Sequence, residues 1–241
     1  MNTGIDLKSR EGVRMVTAEN LSFSYTGAHP FILEGLNLYI RAGEYVSVVG
    51  ENGSGKSTLI RLILRFLKPT SGTVTTLANR IGYMPQRNDF TNAGFPITVY
   101  EMLNSYRNLL KIKNRKSMED NLERVGLAGF SHALMGTLSG GQCQKALIVR
   151  ALIGDPDLLI LDEPSTGVDA DSQKEIYALI KKLNVEDGKT VVSVEHNLGA
   201  AIANSTLIYH LANAKGHFCT PQHYAAEYLN VKGRGVGDVK L

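Results

Sequence analysis

The sequence contains no tryptophan and only two cysteines in 241 residues. Cys143 and Cys219 show neither CxxC nor Cys/His ligand spacing. A disulfide framework and a finger-type zinc site are therefore excluded, and both thiols are expected to stay reduced. No apolar run approaches the roughly 18–20 residues needed to span a bilayer. The longest runs, such as Leu158–Leu161, have the length of buried strands. The first residues carry no apolar signal segment, so the chain is expected to remain in the cytoplasm. An excess of one charge sign is also missing. The formal net charge is +3, with no RNA- or DNA-binding motif beside it, which argues against a nucleic-acid partner. Internal repeats are absent, which excludes a tandem pair of domains.

What is present is ordinary globular material. The hydrophobic fraction is 43% and the charged fraction 20%, enough for one large α/β domain or a core with a sizeable insertion. Short alternating runs at Val16-Thr17-Ala18-Glu19, Leu21-Ser22-Phe23-Ser24-Tyr25 and Leu36-Asn37-Leu38-Tyr39-Ile40 predict antiparallel strands. Glu44–Val49 predicts a buried strand. Lys56–Leu67 predicts a helix with Leu59, Ile60, Leu62, Ile63 and Phe66 on its apolar face, stopped by Pro69. From Arg87 to about Ala151 the pattern turns mostly helical, with helices predicted over Val99–Leu110 and Ser117–Val125. Asp157–Leu161 and Thr190–Val194 predict buried strands. Ala170–Leu183 predicts a helix with Ile176, Leu179, Ile180 and Leu183 inward. Leu207–Leu211 and His217–Cys219 flank a hairpin turn predicted at Asn213-Ala214-Lys215-Gly216. The basic, glycine-rich stretch Lys232–Gly237 predicts a loose terminus.

Gly50-Glu51-Asn52-Gly53-Ser54-Gly55-Lys56-Ser57 matches the phosphate-loop pattern GxxxxGKS, after a strand and before a helix. Gly50, Gly53 and Gly55 let backbone N–H groups turn toward phosphate oxygens, and the helix N-terminus adds partial positive charge. Lys56 supplies a point charge for the β- and γ-phosphates, and Ser57 a hydroxyl for Mg²⁺. Leu158–Leu161 runs into Asp162 and Glu163. Ligands sit at the carboxyl ends of buried parallel strands. Asp162 suits the magnesium-side acid, and Glu163, one residue further out, suits polarisation of an attacking water. Leu138-Ser139-Gly140-Gly141-Gln142 precedes a helical run. Ser139 is a good N-cap, Gly140 and Gly141 leave the helix start uncovered, and such an end attracts anions. By itself this motif reads equally well as a plain capped helix. Gln86 and His196, each just past a strand, and Tyr25, ahead of a glycine, count only in company.

Taken together, Gly50–Ser57, Gln86, Leu138–Gln142, Leu161–Pro164, Asp169 and His196 resemble, in order, the motifs of ABC transporter ATP-binding subunits. The resemblance runs from about Val16 to about Tyr228. It implies an α/β fold with a RecA-like P-loop core, an antiparallel β subdomain and an inserted helical subdomain. The implied boundaries are a single domain over 14–228, the helical insertion at about 87–151, and a flexible tail over 229–241. ATP and Mg²⁺ are the implied ligands. By the resemblance, Tyr25 stacks on adenine. Gly50, Asn52, Gly53, Ser54, Gly55, Lys56, Ser57 and Thr58 hold the phosphates, with Ser57, Gln86 and Asp162 on Mg²⁺. Glu163 is the catalytic base, and His196 the γ-phosphate switch. Ser139, Gly140, Gly141 and Gln142 address the ATP of a second chain, and Ser165–Asp169 crosses the dimer interface. Asn197 departs from the family, which often has Asp there.

Implied partners are a second ATPase subunit, an integral membrane permease and, indirectly, an extracytoplasmic substrate-binding protein. The implied location is the cytoplasmic face of the membrane. Phe95–Glu101, Val168 and Glu195-His196-Asn197 resemble the zinc/manganese importer branch. An importer or exporter subunit for another substrate, and a soluble nucleotide-gated clamp, are the alternative readings.

Overall fold

The computed structural model describes residues 12–86 and 96–229. In chain order the elements are β1 (Arg14–Phe23), β2 (Leu33–Arg41), β3 (Tyr45–Gly50), α1 (Lys56–Ile63), β4 (Ser71–Thr76), β5 (Ile81–Met84), α2 (Val99–Leu109), α3 (Lys116–Arg124), α4 (Gly140–Leu152), β6 (Leu158–Asp162), α5 (Ala170–Val185), β7 (Thr190–Val194), α6 (Leu198–Asn204), β8 (Leu207–Ala212), β9 (Lys215–Cys219) and α7 (Pro221–Tyr224). They fall into two compact units. One comprises Gly12–Thr76 and residues from Val194 onward, the other Leu77–Ser193. The expected loose tail and the residues 87–95 of the expected insertion lie outside the described residues.

In the first unit β1 pairs antiparallel with both β2 and β4. The two alternating runs expected on either side of Asn20 are one strand. Ala18 pairs with Leu38 and Leu21 with Leu36, so β1 carries one extra residue there. Asn20 takes the left-handed conformation, φ 47°, and its N–H donates to Asn37 Oδ1 at 3.0 Å. The bulge shifts the side-chain phase by one, so that Val16 and Ala18 before it and Leu21 and Phe23 after it are all buried. β3 pairs parallel with β8, and β8 antiparallel with β9. The β8–β9 turn is shorter than expected. Asn213 and Ala214, φ 50° and 62°, are its two residues, the left-handed pair that matches the twist of a hairpin. Lys215 and Gly216 already belong to β9.

Helix α1 ends at Ile63, four residues before the expected Leu67. Arg65 adopts φ 60° and closes the helix in a left-handed turn ahead of Pro69. Phe66, expected on the buried face, is thereby left 67% exposed.

In the second unit β6 lies between β5 and β7. Every residue of β6 and β7 is buried, which explains why both read as unbroken apolar runs. Burying each Leu or Ile contributes about 1.5–3 kcal/mol. The helical stretch has its own core, in which Val99, Leu103, Met118, Leu122, Cys143 and Val149 pack together. Helix α4 also packs closely on β5. A Cβ at Gly82 would lie 2.2 Å from the Ala151 carbonyl oxygen. Gly82→Ala should therefore destabilise the protein by about 1–3 kcal/mol, read as a lower urea midpoint at unchanged m-value.

Candidate functional site

The phosphate loop begins where β3 leaves the interior. Tyr45 to Val49 are buried, and at Gly50 the backbone passes so close to β8 that a Cβ would lie 2.3 Å from the Leu211 carbonyl oxygen. Gly55, φ 97°, is the N-cap of α1 and supplies no side-chain cap, so the first helical N–H groups are left for another acceptor. Lys56 is buried, and its Nζ donates to the carbonyls of Gly50 at 2.8 Å and Glu51 at 2.9 Å. The ammonium is thus tied across its own loop. Ser54 Oγ is buried without a hydrogen-bond partner among the described residues. This is a spare polar atom inside a loop shaped for an anion. Ser57 is exposed and Thr58 buried.

Tyr25 follows β1 and is 59% exposed. Its ring stands edge-on to Phe23 with centroids 4.9 Å apart, and its hydroxyl lies 3.3 Å from Thr58 Oγ1. A cavity of about 610 Å³ runs along the loop, lined by Gly50–Ser54 together with Glu195, His196 and His210. His196 is exposed at the end of the β7 segment. Asn197 is the N-cap of α6 and accepts from the Ala200 N–H at 3.1 Å. Asn is as good a cap as Asp, so the departure from the resembled pattern retains a local function. Burial and the neighbouring His217 hold the His210 imidazole below the usual histidine range.

The other unit gathers the acids, the glutamine and the signature pentapeptide. Parallel pairing of β5 with β6 sets Met84 opposite Leu161. Two residues further along each strand stand Gln86 and Glu163, and Gln86 Nε2 donates to Glu163 Oε2 at 2.7 Å. Asp162 and Glu163 are both buried. Glu163 has φ 55°, an uncommon conformation for a residue other than glycine that turns the chain sharply out of the sheet. The turn closes with the Thr166 N–H on the Glu163 carbonyl at 3.2 Å. Thr166 Oγ1 then donates to Glu163 Oε2 at 2.9 Å.

Ser139 is the N-cap of α4. Its Oγ accepts from the Gln142 N–H at 3.2 Å, and Gln142 Oε1 accepts from the Ser139 N–H at 2.9 Å. This reciprocal capping box fixes the start of the helix. Gly140 is half-buried. Gly141, expected to leave the helix start uncovered, is instead buried against α5, where a Cβ would lie 2.6 Å from Ser172 Cβ. Asp169 caps α5 by accepting from the Ser172 N–H at 2.9 Å, which holds its carboxyl below the usual range.

Gln86, Glu163, the 165–169 loop and the signature are therefore brought together in one unit. The phosphate loop, Tyr25 and His196 are brought together in the other. The sequence reading did not identify the Thr166 hydroxyl on Glu163, nor fully buried Gln144, whose Nε2 donates to the Thr166 carbonyl at 3.2 Å. The Glu-Pro-Ser-Thr turn was the available signal for the first.

The family model described as ABC transporter matches residues 33–166. A Treponema pallidum protein named "Probable metal transport system ATP-binding protein" is 54% identical over 217 residues, covering 90% of this chain and 91% of that protein. The Bacillus subtilis high-affinity zinc uptake system ATP-binding protein ZnuC is 40% identical over 198 residues, covering 76% and 85%. A solved dimeric ATP-binding cassette, in a post-hydrolysis state with ADP and Pi, superposes with a TM-score of 0.71 at 30% identity, covering 86% of this chain and 99% of that one. The chain belongs to the ABC transporter family of ATP-binding proteins.

Proposed function

We propose that this ABC ATPase drives uptake of a divalent metal ion, zinc or manganese, through a separate membrane permease, with an extracytoplasmic binding protein delivering the ion. The identity over nine-tenths of the chain to a protein named for metal transport carries this reading. Zinc-uptake relatives such as ZnuC support it. Among the described residues no helix is long and apolar enough to cross a membrane. On this reading the chain is a single domain over 14–228, with its helical insertion at about 87–151, on the cytoplasmic face of the membrane.

ATP hydrolysis by in-line attack of water needs positioning and charge stabilisation more than covalent help. The loop Gly50–Gly55 offers backbone N–H groups and the uncapped start of α1 to the phosphates, with Asn52, Ser54 and Thr58 beside them. Lys56 and His196 face the charge that develops on the γ-phosphoryl group. Tyr25 stacks on the base. Glu163, already oriented by Gln86, takes the proton of the attacking water. The Ser57 hydroxyl and the Asp162 carboxylate, with Gln86, are the hard oxygen donors that would hold Mg²⁺. That ion usually takes one or two protein oxygens along with phosphate and water. When bound it neutralises phosphate charge. Two chains close head to tail, and the capped α4 start of one, Ser139–Gln142, addresses the triphosphate held by the other.

Three outcomes are expected. Glu163→Gln abolishes steady-state turnover yet retains ATP and traps a dimer by size exclusion; wild-type turnover would remove Glu163 from the role of base. Ser139→Glu lowers turnover roughly tenfold or more while ATP binding to the monomer, by calorimetry, stays within about twofold. Cells lacking the protein grow poorly when zinc or manganese is limiting and recover on adding that metal; unaltered growth and metal content would contradict the metal assignment.

A further inference from the structure

We propose that Thr166 is a positioning residue for the reaction, holding the Glu163 carboxylate in its working orientation through its side-chain hydroxyl. The proposal rests on the reading of Glu163 as the base.

A glutamate side chain at the mouth of a strand has three rotatable bonds and many accessible orientations. A base that must meet a water in line with a phosphorus atom requires one of them. Two donors from different segments converge on a single oxygen here. Gln86 Nε2, just past β5, reaches Glu163 Oε2 at 2.7 Å, and Thr166 Oγ1 reaches the same atom at 2.9 Å. Hydrogen bonds to an ionised acceptor are stronger than neutral ones, and two on one oxygen define both the rotamer and the plane of the carboxylate.

The Thr166 hydroxyl is brought there by the backbone. The left-handed Glu163 and the following Pro164 form a tight turn, closed by the Thr166 N–H on the Glu163 carbonyl at 3.2 Å. The turn folds Thr166 back over the side chain of the residue that starts it. Thr166 is in turn anchored from beneath. Its carbonyl accepts from Nε2 of fully buried Gln144 at 3.2 Å. The preceding Ser165 is buried, with Oγ 2.8 Å from the Tyr177 hydroxyl. The loop is thus fastened to α4 and α5 while the Thr166 side chain stays exposed. An exposed threonine with a core-anchored backbone can lose its hydroxyl without unfolding the loop, so the contact can be tested separately from the fold.

The experiment is steady-state ATP hydrolysis by full-length Thr166→Val, Thr166→Ser and Glu163→Gln with Mg²⁺-ATP, alongside ATP-trapped dimer formation by Glu163→Gln with and without Thr166→Val. Valine keeps the shape and removes the donor. Thr166→Val is expected to lower kcat roughly tenfold with KM for ATP within about twofold. Thr166→Ser should restore most of that loss, and the trapped dimer should form equally in both Glu163→Gln backgrounds. Wild-type kcat in Thr166→Val, with Glu163→Gln inactive, would overturn the role of Thr166 alone. A Thr166→Ser as impaired as Thr166→Val would show that the hydroxyl is not the active group. Loss of the trapped dimer on adding Thr166→Val would place the effect in assembly. Turnover by Glu163→Gln itself would instead overturn the reading of the base on which the proposal stands.

Discussion

The structure of the Leu77–Ser193 unit turns on how one buried strand ends. Every residue of β6, Leu158 to Asp162, is sealed from solvent, and a charged side chain is tolerated in such a strand only where the sheet stops. The chain leaves through a single left-handed residue, Glu163, followed by Pro164. That sharp exit keeps both carboxyls at the strand's end. It also forces the next residues into a turn that brings Thr166 back onto Glu163. Parallel registration with β5 brings Gln86 to the same oxygen. Several features of the candidate site thus follow from one constraint: an apolar strand must end, and its acids must find donors.

The same economy appears at the signature pentapeptide. Ser139 and Gln142 satisfy each other's backbone groups, which leaves the α4 start well defined. Gly141 lets that start sit against Ser172 of α5, and Asp169 caps α5 at the same place. Buried Gln144, one turn further along α4, reaches the loop that follows Glu163. The signature helix, the 165–169 loop and Glu163 therefore belong to one hydrogen-bonded network. In the proposed mechanism the signature addresses the partner's ATP while Glu163 serves the chain's own, so this network joins the two chemistries within a subunit.

Much of this was legible from residue order because it rests on local rules. Four apolar residues followed by two acids specify β6 and its end, and Gly-x-x-x-x-Gly-Lys-Ser specifies a strand-loop-helix turn. What escaped depended on backbone conformations that composition does not announce. Asn20 reads as a break between strands, yet its bulge keeps β1 continuous. Pro69 reads as the stop of α1, yet Arg65 turns left-handed first and exposes Phe66. Gly141 reads as an open helix start until α5 is packed against it. The Thr166 contact needs a positive φ at a glutamate, which no propensity predicts.

In the proposed mechanism each ATP is handled by residues of two chains, and mixing two inactive variants tests this most directly. Lys56→Ala and Ser139→Glu are each expected to be nearly inactive alone. In a mixed dimer one site pairs both lesions, while the other pairs an intact phosphate loop with an intact signature. The account predicts that ATP hydrolysis reappears on mixing and reaches its maximum near equal proportions of the two variants. Hydrolysis that never exceeds the sum of the separate variants, in a mixture shown to contain mixed dimers, would contradict it.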